Sequence, residues 1–317
     1  MGKVLFISCT PVARYMIEEI KTNFKIKNVE IVGIVNLNSE RAVSKANYDS
    51  YLDLASKHSI DLHYCDNVND KITMDFISEK TPDIIIQSGW SQKFSNELLS
   101  LAKYCCIGEH PAPLPRGRGA ACVNWAIISG ETEWGDSFFR MMERYDEGEL
   151  FAQKEFTIEL HDDVKTVYDK VCESSRLIIR ENIEDWTSGK LKGYYQDDSK
   201  ATYFKRRTPK DGYFDFFEDS KTVYNKIRGQ ARPYPGAFFL YGKSEDLRKV
   251  TVWKAKLGNP SNDSVGTVIS NKVMGEIEVV CGDNKSIILS RVQEEESPEM
   301  WAYDWYKDLE LILNYRK

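Results

Sequence analysis

Short apolar runs, divided by polar stretches marked with glycine and proline, set the rhythm of the N-terminal third of the chain. KVLFI at 3–7, VEIVGIV at 29–35 and PDIIIQSG at 82–89 each have the length of a buried strand. Thr10 stands where it can cap a helix whose first position is Pro11, since proline lacks an N–H that would be unpaired there anyway. DSYLDLASKHSI, 49–60, carries apolar residues at helical spacing. Strands alternating with helices predict an α/β class with a parallel sheet and helical crossovers. Ligands of such sheets sit beyond the carboxyl ends of the strands, so the loops after Ile7, Val35 and Ile86 are candidate site walls.

The texture changes near residue 200. Residues 187–200 are polar, and DSKTVYNKIRG, 219–229, predicts a short helix ended by glycine. PYPGAFFLYG, VTVWKAKL, GTVIS, GEIEVVCG and SIILSRV then follow as short β-rich runs punctuated by glycine. A larger α/β domain followed by a smaller, barrel-like β domain is predicted. Over 299–316, Trp301, Trp305, Leu309 and Leu313 recur at helical spacing and predict a docking helix. The aromatic residues near this tail make a homodimer the expected assembly.

Among 317 residues, 42% are hydrophobic and 12% aromatic, which excludes intrinsic disorder. The length suits one large domain or two. No apolar run approaches the ~20 residues of a membrane helix. The opening MGKVLFISC lacks the pattern of a signal peptide. Seven scattered cysteines without a C-x-x-C pair suit buried thiols in a reducing compartment, so a cytoplasmic setting is expected. Four histidines with no His/Cys pair at ligand spacing give no expectation of a metal. The net charge is −6, yet residues 201–260 hold 13 Lys or Arg against 6 Asp or Glu. That stretch can meet phosphate groups or serve as a solvated face. The Gly-rich dinucleotide and nucleoside-triphosphate loops and the G-x-S-x-G elbow are all missing.

The densest chemistry lies in 105–153. His110 precedes Pro111, Pro113 and Pro115, a stretch that cannot be regular helix, and RGRG at 116–119 leads into a helix predicted from about 121 to 129. A histidine on a stiff loop after a strand is placed for proton transfer near neutral pH. Asp146, in YDEGEL, can orient an imidazole. On spacing alone, both residues also have a plain structural reading as loop and turn residues.

His110, Leu114, Pro115, Arg118, Gly119, Trp125, Asp146, Gly148 and Gln153 stand in the order of N-x-H-x-S-L-L-P-x-x-R-G, a helix, and D-x-G-x-I-x-x-Q. The segment resembles the folate-dependent formyltransferases. NWAIISGETEWGDSFFRMMERYDEGEL and GWSQ, 89–92, resemble the sugar N-formyltransferases. KRRTPKDGYFDF, 205–216, with YNKIRGQARPYPGAFFLYG, 224–242, resembles the linker and C-terminal domain that methionyl-tRNA formyltransferase shares with some sugar enzymes. SCTPVAR resembles their first loop, so the resemblance covers almost the whole chain.

The resemblance implies a Rossmann-like formyltransferase domain over 1–204 and a smaller barrel- or OB-like β domain with a terminal helix over 205–317. It implies formyl transfer from 10-formyltetrahydrofolate to the amine of a nucleotide-linked amino sugar, a 4-amino-4,6-dideoxy sugar on UDP or dTDP. His110 is the candidate base for the attacking amine, with Asp146 holding His110 or a water. Gln87, Ser88, Gly89, Trp90, Met141, Tyr145 and Asp146 are expected against the folate. Thr10, Arg116, Arg118, Arg206 and Arg207 are the candidates for the sugar nucleotide. One position departs: the family asparagine two residues before the histidine is Gly108 here, which removes an oxyanion donor. Asn124, a protonated His110 or a backbone N–H is expected to replace it, although Asn124 also reads as a surface residue at a helix start. Methionyl-tRNA is the alternative acceptor. It is disfavoured by the net charge and by NLNSERAVSKANYDS, 36–50, which lacks the Gly-rich basic loop of the tRNA enzymes, so no nucleic-acid partner is expected. A non-catalytic folate-binding protein is the second alternative, motivated by Gly108.

Overall fold

Residues 1–43, 45–243, 246–309 and 313 are described by the structure, a computed structural model. In chain order the first strands are β1 Gly2–Ser8, β2 Val29–Leu37, β3 Leu62–Cys65, β4 Ile84–Ser88, β5 Cys105–His110, the short β6 Arg118–Gly119, β7 Glu133–Arg140, β8 Leu150–Thr157 and the short β9 Tyr203–Phe204. The helices among them are α1 Pro11–Thr22, α2 Ser39–Ala42, α3 Leu52–His58, α4 Lys71–Lys80, α5 Asn96–Leu99, α6 Cys122–Ser129 and α7 Val164–Thr187. Seven strands form one sheet in the order β3-β2-β1-β4-β5-β7-β8, the first five parallel and the last two antiparallel. The predicted α/β class is therefore observed.

The strands at the centre are buried on both faces, which is why β1 and β4 read as unbroken apolar runs. Leu5, Ile7, Ile85 and Cys106 build one core with Trp90 and Phe94. On the other face Phe138 lies 5.6 Å from Trp186 of α7. The chain leaves β1 for β2 and β3 on one side, then returns to β4 on the other, so the order reverses between β1 and β4. Helix α1 does begin at Pro11, but the Thr10 hydroxyl makes no cap bond and is buried without a partner.

The chain divides into two compact units: residues 1–122, 133–157 and 168–205, and residues 123–132, 158–167 and 206–317. Two segments before residue 206, 123–132 and 158–167, count with the second unit. That unit contains α8 Ser220–Arg228, then β10 Ala237–Lys243, β11 Asp246–Pro260, β12 Val268–Asn271, β13 Glu276–Val280, β14 Lys285–Glu294, β15 Met300–Trp301 and α9 Ala302–Tyr306. Its strands run β10-β11-β14-β13-β12, with β15 on β14. Phe214, Val223, Ile227, Phe239 and Trp305 share its core. The tail departs from the predicted helix over 299–316. Trp301 ends a strand and is half exposed, α9 covers only 302–306, and Leu313 is buried; 310–312 and 314–317 lie outside the described residues. Among the described residues no helix is long and apolar enough to cross a membrane. All seven cysteines are free and buried.

Candidate active site

His110 is the last residue of β5, and the two-residue period of a strand puts it on the same face as Gly108 and Cys106. The turn after it is held from below. The Ser137 hydroxyl, on β7, donates to the Ala112 carbonyl (2.6 Å) and accepts from the Leu114 N–H (3.1 Å). Gln153 Nε2 donates to Leu114 O (2.9 Å) and to Ser137 Oγ (2.8 Å), and Trp134 Nε1 donates to Pro111 O (2.7 Å). The loop thus has its carbonyls satisfied by fixed side chains, and His110 inherits a fixed position.

The imidazole is buried between acceptors. Nε2 lies 2.8 Å from the Gly117 carbonyl, and Nδ1 lies 3.9 Å from Asp146 Oδ1. Burial alone would lower its pKa, but Cys122, the Asp146 carboxylate and the Gly117 carbonyl outweigh it, and the net result is pushed up to about 10. With an acceptor facing each ring nitrogen, the doubly protonated ring is the favoured form at neutral pH.

Asp146 sits in a left-handed turn, φ 58°. Its Oδ2 accepts from the Gly119 N–H (2.9 Å), leaving Oδ1 toward the imidazole. Gln196 Nε2 donates to the carbonyls of Asp146 and Gly148, both at 2.8 Å. Gln196 in turn accepts from Arg118, which is buried and also meets Asp198 (2.7 Å) and the Tyr203 hydroxyl (2.8 Å). The guanidinium of Arg118 is therefore engaged in holding the Asp146 turn. Sequence reasoning matched Arg118 to the motif but did not find Gln196, which lies in a polar stretch with no pattern.

The other expected residues scatter. Gln87 donates to Trp90 O (3.2 Å). Ser88 faces away from His110: its hydroxyl donates to Glu109 Oε2 (2.6 Å) on the opposite side of the sheet. Gly89 has φ 62°, and its carbonyl accepts from Lys45 Nζ (3.3 Å). Trp90 is nine-tenths buried and packs in the core of the sheet's first face. Met141 is half-buried, while Met142 and Tyr145 are exposed on the loop that carries Asp146. Arg116 lies over Trp134 and donates to Glu133 O (3.2 Å). Arg206 is exposed; Arg207 is half-buried, bonded to Gln230 and over Trp125. Asn124 is fully buried rather than at the surface, because its Nδ2 donates to the Gly229 carbonyl (2.8 Å), and its Oδ1 has no partner.

Gly108 is explained by packing. Its φ is not in the left-handed region, so no backbone demand selects glycine. A Cβ there would lie 2.7 Å from Phe139 Cζ and 3.2 Å from Met141 Cγ. Phe139, paired directly opposite on β7, fills the space that a side chain at 108 would need.

On the far face the structure reveals a pair absent from the sequence reading. Glu109 and Asp136 are both buried, each bonded to one serine, Ser88 and Ser175, and each with its second oxygen unpaired. Burial raises both carboxyl pKa values, and the Glu109 charge adds to the rise at Asp136. A proton shared between the two unpaired oxygens accounts for both orphans.

Two family models match the chain: formyl transferase over residues 4–183, and formyl transferase, C-terminal domain, over residues 206–310. The bifunctional polymyxin resistance protein ArnA of Wigglesworthia glossinidia brevipalpis is 30% identical over 252 residues, 79% of this chain, which spans only 37% of that protein's length. An N-formyltransferase from Helicobacter canadensis, solved with folinic acid and dTDP-3-aminofucose, has a TM-score of 0.68 at 17% identity, covering 91% of this chain and 99% of its own. HypX from Aquifex aeolicus, solved with tetrahydrofolic acid, has a TM-score of 0.64 at 18% identity, covering 96% of this chain and 47% of its own.

Proposed function

Because the chain belongs to the formyl transferase family, we propose that it transfers a formyl group from 10-formyltetrahydrofolate to the amine of a nucleotide-linked amino sugar. The observation that carries the reading is the enclosed His110–Asp146 pair at the end of β5. The likeness to ArnA and to the Helicobacter enzyme supports a sugar acceptor, with a 4-amino-4,6-dideoxy sugar on UDP or dTDP as the first candidate. Seven free buried thiols suit a reducing, cytoplasmic setting.

The loop 141–146 suits a flat heteroaromatic ring, since exposed Met142 and Tyr145 offer apolar surface beside Asp146. The bound folate supplies an activated formyl carbon. His110, charged, donates its Nδ1–H, which at 3.9 Å from Asp146 Oδ1 is not hydrogen-bonded, to the oxygen of that formyl group and stabilises the negative charge that develops on it. Asp146 accepts the proton that the attacking amine must shed and returns it to the departing nitrogen, so no proton is gained or lost. Arg118, through Gln196, keeps the Asp146 turn in place. This makes His110 the oxyanion donor that Gly108 does not supply, and the buried, engaged amide of Asn124 is not needed for it.

The test is a formyl-transfer assay of the full chain against a panel of UDP- and dTDP-linked amino sugars and methionyl-tRNA, read by mass. Transfer to an amino sugar and none to methionyl-tRNA at physiological salt is expected, because tRNA binding needs many phosphate contacts. Transfer to methionyl-tRNA at a rate equal to that of the best sugar overturns the reading.

A further inference from the structure

Beyond the carboxyl ends of β1, β2 and β4 lies a cavity of about 210 Å³, bordered by Cys9, Arg41, Lys45, Asp66, Trp90 and Gln92. It sits where the strand order reverses between β1 and β4, the position at which open α/β sheets take ligands. Whole small-molecule sites occupy ~300–1,000 Å³, so this cavity suits one group of a ligand rather than all of it.

The hydrogen bonds around the cavity point to the kind of group. Gln92 accepts from Val68 N–H (2.9 Å) and donates one of its two amide N–H groups to Asp66 O (2.7 Å). The Asp66 carboxylate accepts from Asn38 Nδ2 (2.8 Å). Lys45 donates to Gly89 O (3.3 Å) and keeps further N–H groups available. Arg41 is exposed, and its guanidinium meets no carboxylate or carbonyl among the described residues. The Trp90 indole N–H is buried and has no partner, although a buried indole donor is normally paired. Burial pushes the Cys9 thiol up, so it adds no negative charge. Apart from the second oxygen of Asp66 and the Ser91 hydroxyl, the unused capacity is donor, and two of the donors are cations. A compact oxyanion matches such a set.

We propose that this cavity binds a phosphoryl group, with Arg41 and Lys45 on its oxygens and the Trp90 N–H as a third donor. On the sugar-nucleotide reading above, on which this assignment of the source rests, the group belongs to the diphosphate of the acceptor. Trp90 then serves the acceptor through its nitrogen, not the folate through its ring.

Isothermal titration of the full chain with UDP, dTDP and pyrophosphate tests this. Four proteins are compared: wild type, Arg41→Met/Lys45→Met, Trp90→Phe, and a charge control, Lys221→Met/Lys272→Met, at exposed positions of the other unit. UDP or dTDP should bind the wild type and the control alike and the Arg41/Lys45 variant about tenfold or more weakly, as expected for lost charge-assisted bonds. Trp90→Phe should weaken binding by a smaller factor. Nucleotide binding unchanged in the Arg41/Lys45 variant, or equally weakened in the control, overturns the cavity assignment and leaves the sugar reading standing. Binding of pyrophosphate alone, lost in the Arg41/Lys45 variant, supports the phosphoryl site and overturns the nucleotide as its source. No binding of any probe overturns the proposal.

Discussion

Restoring the family asparagine at Gly108 is expected to weaken the fold without raising turnover. The added Cβ would lie 2.7 Å from Phe139 Cζ and 2.8 Å from Cε1. Phe139 is 95% buried with Leu114 and Leu150 around it, so the ring has little room to yield. Overpacking of this kind costs about 1–3 kcal/mol. Replacing a strand glycine returns only ~0.5–1 kcal/mol of backbone entropy, so the clash wins. Phe139→Ala alone should cost about 3–5 kcal/mol through the cavity it leaves. The double variant should lose less than the two single losses combined, because each change relieves the other, with a coupling of ~0.5–3 kcal/mol. Urea unfolding of the four proteins gives the cycle, and turnover on the same preparations gives the rate. If His110 already serves the oxyanion, an extra donor has little charge left to match, and turnover of Gly108→Asn stays level or falls. A Gly108→Asn protein as stable as wild type, with turnover raised tenfold, would refute both the packing account and the role given to His110; tenfold is about 1.4 kcal/mol of transition-state stabilisation.

Three further outcomes are expected. His110→Ala should lower turnover by ~10² or more with folate affinity little changed, and the His110 ring protons of the wild type should titrate by NMR near pH 10, not below pH 7. Because that folded-state pKa is raised, its contribution to stability is complete below about pH 6.5 and is lost as pH rises through about 10. The Glu109–Asp136 pair works through the same linkage: its raised carboxyl pKa makes the folded state hold a proton that the unfolded state releases above about pH 4, so stability falls with pH by about 1.4 kcal/mol per unit. Glu109→Gln/Asp136→Asn removes both carboxyl groups, and unfolding at pH 5 and pH 6 should show that slope removed; slopes identical to wild type count against a shared proton. Arg118→Lys loses the fork that grips Gln196 and Asp198, so kcat should fall about tenfold to a hundredfold through the Asp146 turn while KM for the sugar nucleotide barely moves; a pure KM effect would assign Arg118 to substrate instead.

The strands β1, β2 and β4, the helices that begin at Pro11 and near Cys122, and the β-rich second unit were all legible along the chain, because burial on one or both faces imposes a local period of side-chain type. That His110 and Asp146 come near one another was legible for another reason: stiff prolines and a glycine turn mark the loops that hold them, and the motif keeps their order. Which face a residue takes, and what it meets there, had no such local trace. Ser88 was grouped with Gln87 and Gly89, yet strand alternation turns it to Glu109 on the opposite side of the sheet. Asn124 stood at a helix start like a surface residue, until the carbonyl of Gly229 took its amide. Arg118 carried the charge of a phosphate ligand, and its burial against Gln196 and Asp198 made it a clamp. Gly108 looked like a lost catalytic residue, and the ring of Phe139 across the strand pair explains it. In each case the deciding partner lies on a different element, brought near only by strand pairing or by a returning segment. Periodicity reports how much surface a position buries, whereas identity of the partner is set by contacts between residues far apart in the chain.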